Sequence, residues 1–372
     1  MGVRDSIPQL FGMPTGPVPD AAAAASSRIV KSVQAVSVTI AASATSGTAS
    51  INPVDPSKSL EIMSGFLDAD NSGTGDKRCA RLELTSSGLV TAYRNTAGTN
   101  AVVVTGYIVE FAQKAVTNVI RGTVLIGSGL NNADQAISSV DTSRAVAAYT
   151  GITTTETGGA TFNLGAVELT SATNVRAYRQ NGGTGTTYTV GFTVVEFAAS
   201  VAQSVEATSV TISGTNTRGV DDLSTYVETP CLVVTQGICP DSGGGNAKSC
   251  FAYMHFEGDR ASAERVGTNS ITGTVGRLGI VGFKAGGVKS MTAGKVLVAD
   301  AATSGTASIP PVDPARSIVL NMGSAGAVGT PVTAAYAAGL SLVDADTVQA
   351  LLGSAPVATS TVEHHFLVIE FA

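Results

Sequence analysis

Three glutamates share one apolar setting and invite a chemical reading. Glu110 lies in Ile108-Val-Glu-Phe-Ala112, Glu196 in Val194-Val-Glu-Phe-Ala198 and Glu370 in Val368-Ile-Glu-Phe-Ala372. A carboxylate among apolar residues can serve as a general acid or base, because burial raises its pKa towards neutrality. Such work needs company, and no His or second carboxylate is repeated beside the three. The paired carboxylates that cleave glycosides are not identifiable. Strand alternation sets Glu110 on one face with Val102, Val104 and Ile108, and sets Tyr107, Val109 and Phe111 on the other. Arg94 and Arg179 end the preceding strand-like runs and are the expected ion-pair partners. The reading is a tie at a domain end.

The other reactive residue types are scarce. Histidine is limited to His255, His364 and His365, and the adjacent pair must point to opposite faces of a strand. They are expected at the surface or an interface. Cysteine occurs as Cys79, Cys231, Cys239 and Cys250, one in the first part of the chain and three further on, which is no shared disulfide framework. Free thiols are expected first, a local Cys239–Cys250 bridge second, and a zinc site with His255 third. Asp68, Asp70, Asn71 and Asp76 resemble a calcium loop only loosely. The Gly-rich stretches Asp241–Asn246 and Asn181–Thr186 lack the Lys-Ser/Thr of a phosphate loop. No catalytic residue, metal or cofactor is expected.

The elements that position these residues come from a repeat. The closing Phe111, Phe197, Phe283 and Phe371 stand 86, 86 and 88 residues apart, Phe283 within the degenerate copy Ile280-Val-Gly-Phe-Lys284. Val38 and Ile40 recur as Val124 and Ile126, Val210 and Ile212, and Val296 and Val298. The turn acid Asp55 recurs as Asp141 and Asp313, and Thr45–Ile51 returns letter for letter as Thr303–Ile309. Each copy reads as about six strands: near 33–40, 45–51, 59–63, 80–85, 89–94 and 101–112 in the first. Identity at buried-looking positions and turns means one fold written four times.

The expected architecture is all-β: four tandem β-sandwich (Ig-like) domains of about 86 residues. Their bounds are 31–114, 115–200, 201–285 and 286–372, strung as stiffly coupled beads because the linkers are short. Trp is absent, which excludes a Trp-centred immunoglobulin core. The third copy departs most, and the fourth is unusually rich in Ala, Gly and Val between Gly323 and Ala355, which suits a subunit contact or a differently packed core. Residues 1–30 match no copy. Their prolines exclude a regular helix, yet Ile7, Leu10, Phe11 and Met13 are apolar, so they read as a disordered leader or as an extended docking arm.

Composition narrows the function classes. Net charge is −6 and there is no Lys/Arg run, so the basic footprint of a nucleic-acid binder is missing. No apolar run is long enough for a membrane helix, and the N-terminus has no signal-peptide pattern.

Thr-Ser-Gly-Thr-Ala-Ser-Ile, the turn Pro53-Val-Asp-Pro-Ser-Lys-Ser59 with its partner Pro311-Val-Asp-Pro-Ala-Arg-Ser317, and the closing Val/Ile-Glu-Phe together carry a resemblance. Over residues 31–372 the chain resembles the small β-domains found singly or in tandem in structural proteins of tailed bacteriophages. The resemblance implies a non-enzymatic virion protein, foremost a tail-associated fibre or appendage that mediates assembly and host-surface contact. Its partners would be other virion proteins, reached through the N-terminal arm, further copies of itself as a homo-oligomer, and a host cell-surface receptor or glycan. A head-decorating or tail-tube-stabilising subunit is the alternative, and a glycan-binding adhesin or glycan-cleaving protein the third.

Overall fold

Alternating burial turns the periodic runs into strands. In β1 (Val30–Ile40), Val36, Val38 and Ile40 are buried while Ser37 and Thr39 face outwards. A computed structural model of the chain describes residues 28–68, 74–157, 165–179, 184–213, 216–223, 230–240, 252–257, 260–265, 273–284, 287–299, 301–326, 338–353 and 361–372. Strand makes up 67% and helix 4%, so the chain is all-β.

Each copy supplies six strands. The first holds β1, β2 (Ser46–Ser50), β3 (Ser59–Asp68), β4 (Arg81–Ser86), β5 (Leu89–Tyr93) and β6 (Val102–Phe111). The second holds β7 (Val116–Ile126), β8 (Asn132–Ala136), β9 (Ala145–Thr154), β10 (Gly165–Ser171), β11 (Asn174–Arg179) and β12 (Tyr188–Phe197). In the third are β13 (Ala202–Ser213), β14 (Arg218–Asp222), β15 (Leu232–Pro240), β16 (Tyr253–Glu257), β17 (Arg260–Glu264) and β18 (Gly273–Phe283). The fourth ends the chain with β19 (Val288–Val298), β20 (Ser304–Ser308), β21 (Ser317–Gly326), β22 (Ala338–Leu342), β23 (Thr347–Leu352) and β24 (Val362–Phe371).

Within a copy the strands divide into two antiparallel triplets, β1-β6-β3 and β2-β5-β4 in the first. The triplets then join between copies. Six-stranded sheets run β2-β5-β4-β9-β12-β7, β8-β11-β10-β15-β18-β13 and β14-β17-β16-β21-β24-β19, each half from one copy and half from the next. With the remaining triplets β1-β6-β3 and β20-β23-β22 they make five sheets arranged as a propeller-like ring. The last two triplets meet edge to edge through β3 and β22, where Ser64 Oγ donates to Leu340 O at 3.1 Å. Copy four thus packs on copy one as copy one packs on copy two. The open string of beads is replaced by a ring, because the edges that beads would expose pair with each other instead.

A glycine marks every joint. Gly65, Gly151, Gly237 and Gly323 follow one another at 86-residue intervals and have φ of 143°, 116°, 101° and 110°. Each sits at a register shift that leaves one extra residue in its strand. A Cβ on any of them would strike the carbonyl of Ala80, Gly165, Ala252 or Ala338 on the facing strand. Positive φ and the close approach both demand glycine, and the bulge turns the strand edge into its neighbour.

The faces of β6 divide as alternation requires. Val102, Val104 and Ile108 pack in a core confined to the first copy, while Tyr107, Val109 and Phe111 join a larger core shared by all four. In that shared core Phe197 meets Phe111 edge-on at 5.2 Å and Phe283 at 5.4 Å, and Phe371 is buried alongside. Edge-to-face pairs of this kind contribute about 0.5–1.5 kcal/mol each beyond their buried area. The Ala-rich segment of the fourth copy contributes Ala338 and Leu340, both buried, to the β3–β22 joint.

Candidate functional site

The bulged edges β3, β9, β15 and β21 converge on a pocket of about 170 Å³. Its wall is written in the repeat. Met63, Tyr149, Thr235 and Asn321 occupy one equivalent position, and Phe66, Ile152, Ile238 and Ser324 another. Ala80, Gly165, Ala252 and Ala338 approach from the facing edges. The lining is mainly apolar, and the space exists because Thr235, Asn321 and Ser324 are smaller than Met63, Tyr149 and Phe66. Burial pushes the Tyr149 hydroxyl well above its ordinary pKa, so it stays protonated across the physiological range.

Arg277, in β18, is the only charged residue lining the pocket among the described residues. Its guanidinium lies 3.9 Å above the ring of Tyr178. Its Nε is 3.6 Å from Glu168 Oε2, beyond hydrogen-bond length, and Glu168 already accepts from the Tyr178 hydroxyl at 2.6 Å. The buried Nε–H of Arg277 has no hydrogen bond among the described residues. This arrangement can receive an anion beside apolar surface.

A second pocket is polar, about 250 Å³, and belongs to the joint between the first two copies. Arg121 of β7 donates from Nε to Glu61 Oε2 of β3 at 2.8 Å, from Nη1 to Pro56 O at 2.8 Å, and from Nη2 to Ser59 O. Burial raises the Glu61 pKa, against the opposing pull of Arg121. At the matching positions the other copies carry Ala147, Val233 and Val319 for the acid, and Ala35, Ala207 and Ala293 for the base. That break in the repeat was the available signal, and reading only the conserved motifs passes over it.

The repeated acids are tied into the framework. Glu110 accepts from Lys31 Nζ at 2.8 Å, Ser32 Oγ at 3.1 Å and the Asp55 N–H at 3.0 Å. Glu370 repeats this with Lys289 at 2.7 Å, Ser290 at 3.1 Å and the Asp313 N–H at 3.1 Å. Glu196 pairs with Arg144 at 3.3 Å. Asp55 and Asp313 cap 3-10 turns at Pro56–Lys58 and Pro314–Arg316, and Asp141 accepts from Ser143 N and Arg144 Nε, each at 3.0 Å.

Arg94 and Arg179 are not the partners of these acids. Arg94 donates to the carbonyls of Ala44 and Ala41 at 2.8 Å and of Asn100 at 2.9 Å. Arg179 does the same to Leu130 at 2.5 Å and stacks on Tyr188. The reason is directional. The end of β5 adjoins the start of β6, whereas Glu110 stands at the far end of β6, about 30 Å away at ~3.4 Å per residue.

The three histidines gather at the joint between copies three and four. His364 is fully buried rather than at the surface, its Nδ1 2.9 Å from Ser324 Oγ. His365 stacks on Tyr253 with centroids 3.5 Å apart, and His255 lies 5.6 Å from the same ring. Burial, then the nearby cations, push the His365 pKa down to about 4 against the pull of Glu363. Asp68 is consumed by a buried ion pair to Arg78 at 2.6 Å, while Asp70 and Asn71 lie outside the described residues. So do Cys250, and with it the Cys239–Cys250 bridge, and Ile7, Leu10, Phe11 and Met13 of the arm. Cys79 and Cys231 are buried thiols, the latter raised to about 11 by burial, so neither is a nucleophile at neutral pH. Among the described residues no group of three His, Cys, Asp or Glu could hold a metal ion, and no helix is long and apolar enough to cross a membrane.

Compared with known proteins, the chain matches no family model and no curated protein.

Proposed function

We propose that the protein is a non-enzymatic structural component of a tailed-bacteriophage virion, built from four β-sandwich units fused into a ring. The observation that carries the reading is the use of the repeated acids. Glu110, Glu196 and Glu370 are spent on cations, hydroxyls and backbone N–H groups that lock one strand end to the next. Residues that hold a scaffold in the same way in successive copies serve mechanical order, and the phage resemblance supplies the setting. Residues 1–27 act as the attachment arm to other virion proteins, and the ring presents its loops to a host surface, where several copies gain avidity.

One observation favours the decorating role over the extended fibre. Ring closure through β3 and β22 converts the four units from a rod into a block. A block suits a subunit that caps or buttresses a shell or tube, or the knob of an appendage. Electron microscopy of particles labelled with antibody to the protein tests the proposal: label on intact virions is expected, and its position separates tail from head. Purified virions lacking the protein would end the proposal. Deleting residues 1–27 should abolish incorporation while the ring still folds. A glycan array with a hydrolysis assay addresses the adhesin alternative, and turnover would overturn the structural reading.

A further inference from the structure

We propose that the pocket at the meeting point of the four copies is a binding site for a small organic monocarboxylate with an apolar body of about six carbons. Size comes first. A cavity of about 170 Å³ is close to the ~150 Å³ that holds a benzene molecule in a protein interior. The wall is apolar on three sides through Met63, Phe66, Tyr149 and Ile152, so an aliphatic or aromatic body replaces no water that was well held there.

Charge comes second. Arg277 is the single charged group on the wall among the described residues, and its buried Nε–H makes no hydrogen bond there, only the 3.6 Å ion pair to Glu168. Its stacking on Tyr178 fixes the guanidinium plane at 3.9 Å, so a carboxylate meets a donor that is already ordered. Glu168, 3.6 Å from that Nε, offsets part of the cationic charge and selects against a dianion such as a phosphate monoester. A guanidinium whose charge Glu168 only partly offsets, one Nε–H without a hydrogen bond and a six-carbon space together point to a monocarboxylate.

The repeat gives a third argument. Opposite the joint glycine of each copy, Arg277 corresponds to Thr105, Gly191 and His365, so a single copy carries a permanent cation. The two smallest residues of the Met63/Tyr149/Thr235/Asn321 set lie on the copy that carries Arg277 and on the next one. The pocket is asymmetric towards Arg277.

Titration calorimetry on the full chain with benzoate and hexanoate, beside benzyl alcohol as the uncharged analogue, tests this independently of the virion reading. One saturable site is expected for the acids, with benzyl alcohol at least about tenfold weaker, since a charge-assisted hydrogen bond is lost. Arg277→Gln should remove the preference of acid over alcohol. Thr235→Tyr, which copies the residue already present at position 149, should fill the space and abolish binding of both. No saturable binding at about 10 mM acid, weak even for a fragment of this size, would overturn the proposal. Equal binding of acid and alcohol, or unchanged binding by Thr235→Tyr, would do so too. If Arg277→Gln fails to fold, the acid–alcohol comparison in the unaltered chain and the Thr235→Tyr variant decide the matter.

Discussion

Replacing Gly65 by alanine attacks the one joint that chain connectivity does not bridge. Gly65 has φ of 143°, and the new methyl would press into the Ala338 peptide, 2.8 Å from its carbonyl carbon. Backbone strain of this kind costs about 1–3 kcal/mol. Forcing β3 away from β22 adds about 1–3 kcal/mol, as in other overpacked interiors. Gly185→Ala is the matched control: its φ is 99°, but none of the described residues lies within 4 Å of the added carbon. It carries the strain alone.

Gly65→Ala should therefore melt about 3–10 °C below Gly185→Ala, at ~2–4 °C per kcal/mol for large domains. Small-angle scattering reads the same joint as shape. A closed ring of this length should have a radius of gyration of about 21 Å, whereas four separate beads end to end would give roughly 35 Å. Gly65→Ala should shift the distribution towards the larger value before global unfolding. If the unaltered chain scatters as a rod, or if the two glycine variants melt together, ring closure through β3 and β22 is wrong.

Three further outcomes are expected. Glu61→Val and Arg121→Ala should each destabilise by about 3–5 kcal/mol in chemical denaturation, while the double variant should recover most of the loss, because the other copies use apolar residues there. Burial opposes, but hydrogen bonds from Lys289, the Asp313 N–H and Ser290 prevail in holding the Glu370 carboxyl below its usual value. Its contribution is present above the unfolded pKa of ~4.5 and is lost as pH falls through the folded value, so Glu370→Gln should flatten the acid limb of a stability–pH curve. His365 has a folded pKa of about 4, below the ~6.5 of the unfolded chain, so stability falls as pH drops from ~6.5 towards 4, by on the order of 2 kcal/mol after allowance for partial exposure. His365→Phe keeps a ring on Tyr253 and should remove that slope in denaturation curves measured against pH.

Strands were legible in the sequence because Val36, Val38 and Ile40, and their copies, alternate with polar residues at a spacing that only a strand accommodates. The division of β6 into two faces followed from the same alternation. The ring was not legible. Its joints depend on Gly65, Gly151, Gly237 and Gly323, and a glycine inside an apolar run is equally the mark of a weak strand or a close approach. Closure is a contact between residues 65 and 338, and no local pattern encodes it. The Arg94 and Arg179 assignment failed because spacing was read without strand direction. The pocket was hidden because repeated motifs point to what is shared, whereas the pocket lies where Met63, Tyr149, Thr235 and Asn321 differ.

That difference explains why four copies in one chain can do what four identical subunits could not. At a meeting point of identical copies every side chain appears four times, so the position must be small in all copies or crowded in all. A charge is harsher still. Four arginines facing one low-dielectric space would repel by several kcal/mol per pair at ~4–8 Å, even with an effective dielectric constant of about 20. Gene fusion lifts the constraint. Once the copies are joined, position 277 can hold Arg while 105, 191 and 365 hold Thr, Gly and His, and the turn and the closing Phe stay under the same packing demand as before. Identity at Thr45–Ile51 and Thr303–Ile309 beside divergence at the pocket is the pattern this freedom produces. A tetramer assembled from the first copy alone would keep the outer strands, bring four Met63 and four Phe66 together at its centre, and close the space that Thr235, Asn321 and Ser324 leave open.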